Sequence, residues 1–223
     1  MTVLTLITEV SRDLNDQEVG NEFVRWTQAD LLEFAYDACV QIALLKPDAA
    51  AHTETITLVP GEEQSLGQDC HTLSDITFNV DASGKKTDGP NMSDYDTMRS
   101  VRRRQCAPKD GAYKAVNFAV DKNNRTKFYV SPPVPDTVPP TVARVEVVCS
   151  GIKSPLLLTD EVPVASAYHT AVVHYMLYRA HSRDEESVGS VTRARAFLQE
   201  FYNTLRVRVL QEQVMKKEEK EMA

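Results

Sequence analysis

The chain has 223 residues, 42% of them hydrophobic, and a formal net charge of −7. That suffices for one ordinary domain, or a small core with a large insertion, without stabilising cross-links. The acidic balance argues against a protein that coats DNA, no apolar run approaches the roughly 18 residues of a membrane span, and MTVLTLITEV does not read as a secretory signal.

The first segment, LTLITEVSRDLND, carries Leu6, Ile7, Val10 and Leu14 at helical spacing. It predicts a short helix, broken at Gly20 and Asn21. WTQADLLEFAYDACVQIALLKPD predicts a longer one. Thr27 and Asp30 resemble a capping box, Trp26 precedes them as a staple, and Leu31, Phe34, Ala38, Ile42 and Leu45 form one face. Pro47 stops the helix.

The period changes after Ala51. Ile56 and Leu58 alternate with Thr55 and Thr57, a half-buried strand that Pro60-Gly61 ends. HTLSDITFNV offers a second strand, through Ile76 and Phe78. DASGKKTDGPNMSD reads as a long exposed loop. RTKFYVSPP and TVARVEVVCS are two further strands flanking the proline-stiffened PPVPDTVPP. The count is four to six strands.

Helical periodicity returns near Val162 in SAYHTAVVHYMLYRAHSRDEE, and Gly189 interrupts it. SVTRARAFLQEFYNTLRVRVLQEQV follows, with Ala194, Leu198, Phe201, Leu205 and Val209 on one stripe. The charged tail KKEEKEMA either extends this helix into solvent or frays. Helix pairs at the two chain ends cannot bury their stripes separately, so the simplest closure packs them together. The expected fold is α+β: an antiparallel helical bundle formed by N- and C-terminal helices with an inserted β-rich subdomain. The expected boundaries are 1–51 and 159–215 for the helical domain, 52–158 for the insertion and 216–223 for the tail.

His174, Tyr178, His181 and Glu185 line one helical face, a pattern that invites a metal reading. The histidines are about 10 Å apart along the axis, however, too far to share a zinc ion. His52, His71 and His169 fall in no pattern. Cys39, Cys70, Cys106 and Cys149 are widely spaced with no CxxC, and read as single reduced thiols, partly buried. Asp94 and Asp96 could grip a divalent ion with one more ligand, but the loop lacks calcium-loop spacing. GxSxG, Walker A, GxGxxG and HExxH are all missing. The reading therefore assigns no catalytic, cofactor-binding or metal residue and expects no cofactor. Arg102, Arg103 and Arg104 form a basic spot, an interface patch or, as the minor reading, a phosphate contact. Trp26, Tyr175, Tyr178, Phe201 and Tyr202 are candidates for helix packing or inter-subunit contacts.

The order of these motifs resembles the adaptor proteins of tailed bacteriophages, the head-to-tail connectors. Trp26, Thr27, Leu31, Leu32, Ala38, Ile42, Lys46, Pro47, Asp48 and Ala49 match an opening Trp-Thr helix that ends in a Lys-Pro-Asp-Ala turn. Gly61, Gln64, Leu66, Leu73 and Asn79 match a Gly-x-x-Gln-x-Leu turn leading into a strand. Phe128, Tyr129, Pro132 and Pro133 match a Phe-Tyr-x-x-Pro-Pro signature. Tyr175, Ala180, Asp184, Ala194 and Phe201 match the closing helix pair. The segment RSVRRRQCAPKDGAY departs from the pattern, which often has a Pro-Trp pair there.

The resemblance implies a non-enzymatic virion protein at the head-tail junction, made in the host cytoplasm. It implies a ring of about twelve copies, a closed cyclic assembly, beneath the portal protein. Such a ring joins the portal to a tail or tail-tube protein and continues the channel for double-stranded DNA, without sequence-specific binding or membrane contact. An acidic wall would let phosphates slide past. The alternatives are an interaction module that forms no ring and, last, a metal-dependent hydrolase.

Overall fold

The structure is a computed structural model, and it describes residues 1–18, 21–101, 113–136, 142–184 and 188–222. It divides into two units, Met1–Ala50 with Ser154–Ala223, and Ala51–Lys153. The first is helical and the second is built from β-sheet, so the chain is α+β with a β unit inserted between helices from both ends.

In the helical unit, α1 (Val3–Asp13) buries Val3, Leu6, Ile7 and Val10. The Thr2 hydroxyl caps its start by accepting from the Thr5 amide. The returning chain supplies further caps: the amides of Val3 and Leu4 donate to the carbonyls of Asp160 (2.9 Å) and Leu158 (3.0 Å). Free N–H groups of the first helical turn are thus satisfied by residues more than 150 positions away. A two-residue hairpin, β1 (Gln17–Glu18) and β2 (Asn21–Glu22), then leads toward α2 (Gln28–Leu45). Thr27 and Asp30 complete the capping box in both directions. The buried face of α2 is Leu31, Phe34, Ala35, Ala38, Cys39 and Ile42.

After a 3-10 turn at Ser166–Tyr168 comes α4 (His169–Arg183), which packs on α2 and on α1. It buries Ala171, Val172, Val173, Met176, Leu177 and Ala180. Next is α5 (Val188–Met222), a single helix of 35 residues. Gly189 lies in its first turn rather than interrupting it; the helical run stops instead at Asp184, the end cap of α4. The segment around Val162 is not yet helical. It pairs with the chain start through a Thr2–Glu161 bridge and a hydrogen bond from the Val162 amide to the Met1 carbonyl.

The β unit holds two four-stranded sheets. One has the order β3 (Ala51–Thr57), β10 (Arg144–Ser150), β5 (Thr72–Val80) and β6 (Lys86–Asp88), all antiparallel. The other has the order β4 (Gly61–Ser65), β9 (Lys127–Val134), β8 (Asn117–Val120) and β7 (Asn91–Met92), with β7 parallel to β8. A short helix, α3 (Tyr95–Val101), follows β7. Ile56, Leu73, Ile76, Val145 and Val147 of the first sheet share one core with Phe118, Phe128, Val130 and Val134 of the second.

The strand count exceeds the sequence expectation because the supposed long loop pairs. Asp81 organises its tip: one carboxylate oxygen accepts from the amides of Ser83 and Lys85, and Gly84 takes the positive φ of +85°. That turn folds β6 back onto β5. Pro132 and Pro133 sit inside β9, where an interior proline normally loses a ladder bond. The partner strand β4 has a register irregularity between Gly61 and Glu63 at that end.

Two polar side chains explain the signature that runs from the Gly61 turn into β5. Gln64, almost fully buried, accepts from the Val59 amide at 2.7 Å and donates to the Val59 carbonyl at 2.8 Å. It replaces backbone pairing in the turn that Gly61 makes at φ +110°. Asn79 donates to the carbonyls of Asp88 and Ala115 and accepts from the Ala115 amide. It thereby ties β5 to the segment entering β8.

Two substitutions test this packing. Phe34→Ala should cost about 3–5 kcal/mol, because a fully buried ring leaves a cavity. Asn79→Ala should cost about 1–3 kcal/mol by stranding buried partners. Urea denaturation followed by circular dichroism measures both, and losses below about 0.5 kcal/mol would contradict these assignments.

Candidate functional site

Three carboxylates of α2, Asp30, Glu33 and Asp37, face two guanidiniums one turn apart on α4. Arg183 meets Asp30 at 3.0 Å and Glu33 at 3.4 Å; Arg179 meets Glu33 at 3.6 Å and pairs closely with Asp37. Both guanidiniums lie over the Phe34 ring, at 5.4 and 5.1 Å. Ion pair and ring contact reinforce each other, since a planar guanidinium can stack while its edges donate. This ladder fixes the axial register of α2 against α4.

Asp184 joins three segments. It accepts from Arg25 (2.5 Å) and from the buried Ser190 hydroxyl in the first turn of α5 (2.8 Å). These contacts hold its carboxyl below the ordinary value, with the Ser190 hydrogen bond the largest cause. Asp16, also buried, accepts from the amides of Arg25 and Trp26 and fixes the entry to α2. The half-buried Trp26 ring meets Phe34 edge-on at 5.8 Å.

The other aromatic candidates fall along α4 and α5. Tyr175 lies 5.5 Å from Tyr178 and 5.1 Å from Phe201, which is fully buried. His174 and His181 do not converge on a common ligand. They flank Phe197, at 6.2 and 5.6 Å, and His181 stacks on it almost parallel. Tyr202 turns outward, 52% exposed, beside Phe201. Arg102, Arg103, Arg104 and Cys106 lie outside the described residues.

Pairings of His181 and then Tyr175 on α4 with Phe197 and then Phe201 on α5 show that the two helices run antiparallel. Extended at the same rate, α4 ends opposite about residue 205. With 15 residues it spans about 22 Å, against about 52 Å for the 35 residues of α5. The last four turns of α5 therefore run past the end of α4. Nearer its start, α5 bears Val191, Leu198 and Tyr202 within a sector of about 40°, beside its buried face. Val191 and Tyr202 are both about half exposed. An apolar stripe with this exposure suits a contact to another chain.

The Asp94–Asp96 pair is not set up for a divalent ion. The Lys122 ammonium stands 3.1 Å from Asp94 and 3.9 Å from Asp96, where such an ion would sit.

The expectation of four single thiols fails for two of them. Cys39 is buried, and burial pushes its thiol up to about 12, which makes it inert. Cys70 and Cys149 instead meet within bonding distance, the arrangement of a disulfide. Beside them stand His52 and Glu54, and one ligand atom from each of the four lies within 4.8 Å of the others. Sequence spacing did not reveal this cluster, because the fold assembles it across up to 97 positions. One signal was present: the inward phase of β3 reads His52, Glu54, Ile56, with polar residues where a core face calls for apolar ones.

Among the described residues, no helix is long and apolar enough to cross a membrane. A protein-family model described as SU10 adaptor protein matches residues 1–218. No curated protein matches the chain.

The helical unit should weaken as pH falls through and below the ordinary histidine value of 6.5. Burial holds His181 below its ordinary value of 6.5; Arg193 and Arg25 push the same way and Asp184 opposes them. The unfolded chain therefore binds this proton more tightly. Stability is unaffected above the unfolded value, falls as pH drops below it, and levels off beneath the folded value. His181→Gln should flatten that slope in urea titrations at several pH values. An unchanged slope would show that another group carries it.

Proposed function

Since the chain belongs to the SU10 adaptor protein family, a family of non-catalytic phage structural adaptors, we propose that it is a ring subunit of the virion neck. About twelve copies would form a closed cyclic assembly that joins the portal to the tail and continues the DNA channel. Synthesis in the host cytoplasm precedes assembly at the head-tail junction.

The observation that carries this reading is the length of α5. The helix outruns α4, its long partner among the described residues, by about 24 Å, a length suited to reaching a second protein. We assign that role to a groove on the portal. The stripe Val191, Leu198 and Tyr202 is assigned to the neighbouring copy in the ring, where Tyr202 would serve as a rim or anchor aromatic. The basic spot Arg102–Arg104 is assigned to an interface with the next ring or with phosphate.

The acidic balance suits a conduit. A net charge of −7 per chain, repeated around a ring, lowers the affinity of its surface for phosphate and leaves duplex DNA free to slide.

Incubation with the cognate portal, followed by electron microscopy, tests the proposal. The full chain should add a stacked ring to the portal. Truncation after Arg206 should leave the circular-dichroism melting of the helical unit within a few degrees and abolish ring addition. Tyr202→Glu should leave single subunits folded but reduce complete rings. A full-length chain that binds other virion proteins only as an isolated subunit would overturn the ring.

A further inference from the structure

We propose that His52, Glu54, Cys70 and Cys149 form a binding site for one divalent cation of the zinc class, with both cysteines bound as thiolates. The site is independent of the ring proposal and lies wholly within the β unit.

The backbone brings the donors together. His52 and Glu54 are two apart on β3, so they project to the same face, and His52 is paired with Cys149 in the ladder to β10. That is the core-facing side, since Ile56 follows in the same phase and Val145 and Val147 precede Cys149 in it. Cys70 comes from the turn before β5. This turn is held by hydrogen bonds from the Cys70 amide to the Gly67 carbonyl and from the His71 amide to the Ser150 carbonyl. Gly151 is required for that approach: a Cβ there would stand 1.8 Å from the Asp69 carbonyl oxygen.

The distances fit a tetrahedral site. His52 Nε2 is 3.7 Å from each sulfur, and Glu54 Oε2 is 3.2 Å from the Cys70 sulfur. Ligand atoms about 2.0–2.3 Å from one zinc ion are separated by roughly 3.3–3.8 Å along the edges of the tetrahedron. All four ligand atoms lie within 4.8 Å of one another, so the two sulfurs must part and the set draw in around the ion for it to bind.

A disulfide is the competing use of Cys70 and Cys149, and the neighbours argue against it. A disulfide sulfur carries no hydrogen, so a carboxylate oxygen aimed at it gains no bond and meets lone pairs. Nor does a disulfide give a reason for a half-buried carboxylate, Glu54, in the core-facing phase of a strand. A cation between the four groups would be a shared partner for the carboxylate and both sulfurs, with the imidazole as fourth ligand. Two thiolates, an imidazole and a carboxylate are a donor set that zinc accepts, with the thiol protons released to solvent on binding. His52 is exposed and Glu54 half-buried, while both cysteines are buried. The ion would therefore enter from the His52 side and close the end of the core, linking β3, β10 and the β4–β5 turn.

The test is titration of the full-length chain, purified under reductant and freed of metal by chelation, with cobalt(II) and then zinc(II). One cobalt per chain is expected, with thiolate-to-metal charge transfer in the near ultraviolet and the intense visible bands of tetrahedral cobalt. Zinc should bleach both. Cys70→Ser and Cys149→Ser should each cut the charge-transfer signal by about half or more, the double variant should abolish it, and Cys39→Ser should leave it intact. His52→Ala and Glu54→Gln, at positions open enough to preserve the fold, should weaken binding by roughly tenfold or more. The wild-type spectrum decides even where a cysteine variant fails to fold. No cobalt spectrum, together with an intact mass two hydrogens lighter before reduction, would overturn the site in favour of a disulfide. Binding that persists unchanged in folded His52 and Glu54 variants would overturn it as adventitious.

Discussion

The contact between α2 and α4 is what the helical unit depends on. These helices come from opposite sides of an insertion of about a hundred residues, so no short loop brings them together. Closing so long a loop costs entropy that only dense packing offsets. The sequence provides it in two layers. Small residues such as Ala35, Ala38, Ala171 and Ala180 are fully buried and let helices approach, while Phe34 fills the volume between them. Outside this apolar layer the carboxylates of α2 and guanidiniums of α4 set the register. The pairs are individually modest because they are partly exposed. Their value lies in selecting one alignment among those that the apolar stripes permit. The caps that Leu158 and Asp160 provide for α1 tie the start of the chain to the segment returning from the insertion, a second link between its two ends.

Much of this was legible beforehand, and for a local reason. Helix α2 announces itself through period, cap and terminal proline, all within one window of sequence. The strands with alternating Thr and Ile are equally local. Boundaries were lost where turn chemistry overrode polarity. DASGKKTDG looks like loop because its residues are polar, yet Asp81 and Gly84 form a turn that returns the chain as a strand. Gly189 looked like a break because glycine weakens helices, but in a first turn its cost is small and Asp184 had already ended α4.

The cluster at Cys70 and Cys149 was illegible for the opposite reason. Its members come from three segments, and their meeting depends on register, on the Gly151 contact and on a turn that no spacing rule encodes. The His174–His181 stretch, by contrast, drew attention by composition and proved to be packing around Phe197. Proximity in sequence overstated one group and hid the other. Gln64 and Asn79 lie between these cases. They lie in a stretch that resembles an adaptor motif, and the structure gives each a physical duty: a buried amide that replaces backbone hydrogen bonds where a ladder stops.

The central claim is that α5 is two things in one helix, a packed segment up to about Leu205 and a docking arm beyond it. Hydrogen-deuterium exchange of the chain, free and bound to the portal, measures this most directly. The account predicts slow exchange at residues 190–205 in both states. At 207–222 it predicts fast exchange in the free chain and strong protection in the complex. Protection of 207–222 in the free monomer, or fast exchange there in the bound state, would contradict it.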